Sequence, residues 1–159
     1  QINVARLLHP WGDPRVSGFT NALSQVHALS ERAPGFVWRL EVGRNRRPGN
    51  DADAVFGADP HLAITMSVWT SVDALRDYVR NTLHGAFVKR RAEWFSPASG
   101  PAYALWSVRD GPRPTLAEGK ARLDDLAAHG PTARAFDFTS AAEILADEFL
   151  ADGAASDRP

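Results

Sequence analysis

The chain has 159 residues, 44 % hydrophobic and 23 % charged, an ordinary globular balance that excludes wholesale disorder. With 18 basic and 19 acidic side chains the net charge is −1, so no broad field of one sign exists to gather nucleic acid or an anionic membrane surface. Cysteine is absent, which removes disulfides, thiolate metal sites and a cysteine nucleophile, and fits a cytoplasmic protein.

No apolar run approaches the ~20 residues of a membrane span. Gln1 to Arg6 lacks the charged, apolar and small-residue order of a signal peptide. Ile2 to Leu8 reads as a strand closed by His9-Pro10-Trp11-Gly12. Asp13 before Pro14 is a helix start, and Val16, Phe19, Leu23, Val26 and Leu29 give that helix one apolar stripe as far as Ala33-Pro34-Gly35. A second strand covers Phe36 to Val42. Gly43 to Pro60, rich in Gly, Pro, Asn, Asp and Arg, reads as a long loop, and loops of that length are commonly functional lids.

Leu62 to Trp69 is a third strand, apolar on both faces and therefore central. Thr70-Ser71-Val72-Asp73 has the form of a capping box, and Val72, Leu75, Val79, Leu83 and Phe87 carry the helix on towards Trp94-Phe95. Tyr103 to Val108 is a fourth strand and Gly111 to Pro114 a turn. Thr115 to Ala128 is a polar helix with a thin stripe at Leu116, Leu123 and Leu126, stopped by Gly130-Pro131. Phe136 to Phe138 adds a short edge strand and Ala141 to Leu150 a terminal helix.

The fold class is therefore α+β. The order β-α-β-β-α-β predicts a ferredoxin-like split β-α-β arrangement, an antiparallel four-stranded sheet with two helices on one face and extra C-terminal helices. One domain spans 1–151, followed by a solvated tail over 152–159. One sheet face lacks a cover in this arrangement, which predicts a homodimer with two sheets face to face.

Strand parity places the polar residues. Asn3 shares a face with Ala5 and Leu7; Thr65, Ser67 and Trp69 share one face of the third strand, and Leu62, Ile64, Met66 and Val68 the other. Polar groups inside strands need hydrogen-bond partners or a solvated cavity. Two readings stand: Asn3 at a fraying end with Ser67 bonded to the backbone, or a pocket between sheet and helices.

Of the five histidines, His9, His61 and His129 sit at element boundaries and His27 at the edge of an apolar stripe. His84, between Leu83 and Phe87, can face a pocket, where an imidazole suits proton transfer or iron ligation. No metal-site spacing, nucleophile elbow or phosphate loop appears, so no metal is expected. Arg91, in Lys89-Arg90-Arg91, is a candidate for holding an acidic substrate group, and Trp38 and Trp69 for stacking on a flat ring.

Several segments together carry a resemblance. Ile2-Asn3-Val4-Ala5-Arg6-Leu7, Pro34-Gly35-Phe36-Val37-Trp38-Arg39-Leu40 and Ser67-Val68-Trp69-Thr70-Ser71 are similar to an uncharacterised bacterial family of unknown function. So are His84, Arg90-Arg91-Ala92-Glu93-Trp94-Phe95, Leu105-Trp106 and Arg122-Leu123 to Gly130-Pro131 with Ala135-Phe136, a match over residues 2 to 139. That family resembles the dimeric α/β-barrel superfamily, which includes antibiotic-biosynthesis monooxygenases, haem-degrading monooxygenases and small-ring cyclases or isomerases.

The haem-degrading branch uses an Asn on the first strand, a Trp on the third and a His on the second helix, the elements that carry Asn3, Trp69 and His84. There the His ligates haem iron; the cofactor-free branch instead lets oxygen react with a substrate carbanion beside Asn and Trp. Thr65 stands where the family often has Asn, and the 43–60 loop is long for a compact oxygenase.

The leading expectation is a cytoplasmic enzyme of secondary metabolism, a cofactor-independent monooxygenase or cyclase/isomerase on a conjugated or aromatic small molecule. His84, Asn3 and Trp69 are the expected catalytic residues, with Trp38, Thr65, Ser67, Phe87 and Arg91 around the substrate. Haem binding through His84 and a non-catalytic ligand carrier are the alternatives.

Overall fold

A computed structural model describes residues 1–41, 51–81 and 90–147. The elements are β1 (Ile2–Arg6), α1 (Ser17–Glu31), β2 (Phe36–Arg39), α2 (Asp51–Phe56), β3 (Leu62–Trp69), α3 (Val72–Asn81), β4 (Tyr103–Ala104) and α4 (Leu116–His129). Short 3₁₀ turns stand at Pro14–Val16 and Arg91–Glu93, and 141–147 is helical.

The local signals explain most of these boundaries. The Asp13 side chain accepts from the Arg15 amide at 2.9 Å and Pro14 supplies its fixed φ, so the chain enters a helical turn there. Ser71 Oγ accepts from the Ala74 amide at 3.1 Å, capping α3. Gly35 has φ +80°, and a Cβ on it would lie 2.5 Å from Ala74 Cβ and 2.6 Å from Thr70 Oγ1. Only glycine lets β2 start this close to the head of α3.

The strands pair in the order β2-β3-β1-β4, every pair antiparallel. Each crossover, β1 to β2 and β3 to β4, leaves a gap that one strand of the other fills. Ile2 faces Met66 and Arg6 faces Leu62, so all five residues of β1 are in register with β3. β4 is shorter than Tyr103 to Val108 because Leu105 turns its main chain to Phe136, exchanging bonds of 2.8 and 2.9 Å. Of the expected edge strand at Phe136 to Phe138, this bridge is what forms.

Two expectations are corrected. The 43–60 segment is not a loop throughout, because Asp51–Phe56 forms α2. Ala52, Val55 and Phe56 recur at helical spacing, and Ala52 is buried in the core, so packing overrides the loop-like composition around it. The sheet face expected to be bare is covered within the chain. Ile2, Ile64, Met66 and Ala104 pack with Leu116, Leu123 and Leu126 of α4 and with Ala52 of α2.

Gly119 makes that seal tight: a Cβ there would lie 2.7 Å from Ile2 Cδ1 and 3.3 Å from Met66 Sδ. With Ile2 at 0 % and Met66 at 1 % exposure, the argument for a face-to-face dimer loses its premise. The 42–50 part of the expected loop, the continuation of α3 through Leu83 and Phe87, and the 152–159 tail lie outside the described residues.

Candidate functional site

The opposite sheet face carries the polar residues. β1 and β3 pair Asn3 with Thr65, and the alternation of β3 puts Thr65, Ser67 and Trp69 in one row along it. These side chains hydrogen-bond to one another. Asn3 Nδ2 donates to Thr65 Oγ1 at 3.3 Å and to Gln1 Oε1 at 2.6 Å. Gln1 Nε2 donates to Ser67 Oγ at 2.7 Å, and Trp69 Nε1 donates to the same oxygen at 2.8 Å.

A continuous ladder thus runs from Thr65 through Asn3, Gln1 and Ser67 to Trp69. Ser67 is buried, and its hydroxyl is held by side chains and not by the backbone. Both amide hydrogens of Asn3 are engaged, so this ladder presents Asn3 Oδ1, an acceptor. Turning the Gln1 and Asn3 amides together would reverse it: Ser67 and Thr65 would donate, and Asn3 would offer an N–H.

Aromatic rings close one end of the ladder. Trp69 stacks on Tyr78 of α3 with centroids 5.0 Å apart and meets Phe36 edge-on at 5.4 Å. The Tyr78 hydroxyl donates to the Val26 carbonyl at 3.0 Å, tying α3 to α1, and burial pushes its phenol above the ordinary value. Half-buried His27 of α1 has its pKa lowered by burial and by the Arg39 guanidinium, against an opposing pull from Glu31. Arg39 itself pairs with Glu31 at 2.7 Å and lies opposite Ser67 in the sheet register.

Trp38 does not join this group. Phe36 pairs with Trp69 and Trp38 with Val68, so Val37 is an extra residue and β2 bulges there. The bulge shifts parity: Phe36 stays on the Trp69 face, while Trp38 crosses to the face covered by α4, under the Arg113 guanidinium at 5.4 Å. The expectation that Trp38 lines the same pocket is corrected on that ground.

Arg91 is also misplaced. It is exposed, in the turn before Phe95, which pairs with Leu7. Leu7 meets His61, so eight residues of β3, about 26 Å at strand rise, separate that end from Trp69. His84 and Phe87 lie outside the described residues. Thus Asn3, Thr65, Ser67 and Trp69 come together, and sequence reading missed Gln1, Phe36 and Tyr78. Tyr78 had a signal, since it follows Leu75 at helical spacing on the buried side of α3. Among the described residues no three acidic or histidine side chains converge as a metal site requires, and no helix is long and apolar enough to cross a membrane.

An antiparallel α+β protein with a side-chain ladder under its crossover helices is the class that fold and site define. The chain belongs to the family described as a domain of unknown function (DUF3291), whose model matches residues 1–148. No curated protein and no solved structure matches it.

Proposed function

We propose that this protein is a cytoplasmic small-molecule enzyme, a cofactor-independent monooxygenase or cyclase/isomerase of secondary metabolism acting on a conjugated or aromatic substrate. The observation that supports this is the ladder Thr65–Asn3–Gln1–Ser67–Trp69 on one sheet face beside stacked aromatic rings. Such a ladder accepts from a substrate hydroxyl through Asn3 Oδ1 in one direction. Reversed, it donates to an enolate oxygen, where a preorganised donor is most effective.

His84 removes the proton in this reading, and the resulting carbanion rearranges or takes up oxygen directly. The strand order β2-β3-β1-β4 with its two crossovers supports a ferredoxin-like fold related to the dimeric α/β-barrel superfamily. In this chain α4 covers the face a second copy would need, so a face-to-face dimer is left out of the proposal.

The test is aerobic turnover of a tricyclic phenolic ketone, followed by oxygen uptake and by the change in its absorbance. His84→Ala is expected to slow turnover at least ~100-fold, as for loss of a general base; turnover close to that of the unaltered protein sinks the assignment. Hemin titration separates the haem alternative: a Soret shift that His84→Ala abolishes moves the protein to that class.

A further inference from the structure

A second recess lies away from the ladder, at the outer edge of β4. It measures about 290 Å³ and is lined by Pro101, Ala102, Tyr103, Leu126, Gly130, Pro131 and Asp137. Its origin is a broken strand pairing. Ala102 turns its main chain to β1, its carbonyl accepting from the Val4 amide at 2.8 Å, so by antiparallel alternation Tyr103 turns its own outward. Phe136 pairs with the outward groups of Leu105, and the same course would bring Phe138 opposite Tyr103. The chain leaves the edge at Asp137 instead, and the Phe138 amide reaches only the Tyr103 hydroxyl, at 3.3 Å.

Asp137 causes that departure. Its Oδ1 accepts from the Thr139 amide at 2.8 Å, the Ser140 amide at 2.9 Å and Ser140 Oγ at 2.9 Å, starting the helical stretch that follows. These donors, the Ser140 amide first, hold the carboxyl below the ordinary carboxylate range, so it is charged at neutral pH. Three donors converge on one oxygen, and no partner for Oδ2 occurs among the described residues.

The remaining wall adds to the negative character. α4 ends at Gly130, whose φ of +74° turns the chain while its amide closes the last helical bond to Leu126 at 3.0 Å. The final carbonyls of α4 have no helical donors, and the dipole end beside the recess is negative. Of the basic groups nearby, Arg134 and His129 pair with Asp125 at 3.4 and 3.1 Å, and Arg76 pairs with Asp73 and donates to the Phe138 carbonyl.

We propose that this recess is a binding site for a small organic ammonium ion with an apolar body. The walls from Pro101, Leu126 and Pro131 take the body, and Asp137, the outward Tyr103 carbonyl and the end of α4 surround the charged head. This site is independent of the reaction proposed above.

Titrating the full chain by NMR with 2-phenylethylammonium and with 3-phenylpropionate, similar in shape and opposite in charge, tests it. The cation is expected to shift resonances of residues 101–103, 126–131 and 137 and to bind at least ~10-fold more tightly than the anion, the scale of one charge-assisted hydrogen bond. Asp137→Asn keeps the capping oxygen and should weaken the cation ~10-fold, with the amide spectrum away from the recess showing that the fold is retained. Ala102→Phe, at an exposed position, fills the recess and should abolish the shifts. Equal affinity for both probes, no shifts with either, or full binding to Asp137→Asn overturns the proposal.

Discussion

The two faces of the central sheet are built from the same strands and differ in what they do with polarity. One face, under α4 and α2, is apolar at its centre, with Ile2, Ile64 and Met66 closed over by a helix that needs a glycine to fit. The other, under α1 and α3, spends alternate positions of β1 and β3 on Asn3, Thr65 and Ser67 and satisfies them sideways. Neighbours in sequence therefore have unrelated duties: Met66 holds the fold, Ser67 holds the ladder. The polar stretch is local, since Leu7 and Ala63 on the same face pack with Val16 and Trp94, and Trp69 with Leu75 and Tyr78.

Substituting those two neighbours is the sharpest way to test the contrast. Met66→Ala, at 1 % exposure, is expected to cost about 3 kcal/mol in urea denaturation, the usual scale for a buried side chain cut to Ala. Ser67→Ala removes the acceptor of both Gln1 Nε2 and Trp69 Nε1 and should cost about 2 kcal/mol, roughly 1 for each bond, while altering Trp69 fluorescence. Equal costs at the two positions would mean that the faces share the packing load. The smallest expected effect is on pH. His27 has a folded pKa below its ordinary 6.5, so as pH falls the unfolded chain binds the proton first. Stability from this group is complete above about pH 6.5 and declines below it, and His27→Gln should flatten that slope in melting curves taken from pH 7 to 5.

Much of the fold was legible because the signals were local. β3 from Leu62 to Trp69 follows from an apolar run between turn residues, and α4 from Thr115 as cap and Gly130 as stop. What escaped depends on partners distant in sequence. Asp51–Phe56 is a helix because α4 waits beneath it, and the spacing of Ala52, Val55 and Phe56 is a short local sign set in loop-like composition. The site was legible as far as parity held: Asn3, Thr65, Ser67 and Trp69 share a face as the alternation predicts. Trp38 was lost to the bulge at Val37, which alternation cannot foresee, while Phe36, ahead of the bulge, keeps its place beside Trp69. Arg91 carried the right charge at the wrong end of the sheet, and residue type alone holds no position.

The seal made by α4 also sets an order of assembly. Ile2 completes its burial against Gly119, so β1 finishes packing only after α4 has been synthesised. Until α4 leaves the ribosome, Ile2, Ile64 and Met66 form an oily sheet face on a nascent chain, the kind of transient surface that chaperones hold. The long sequence separation of this contact makes its closure a late step in folding.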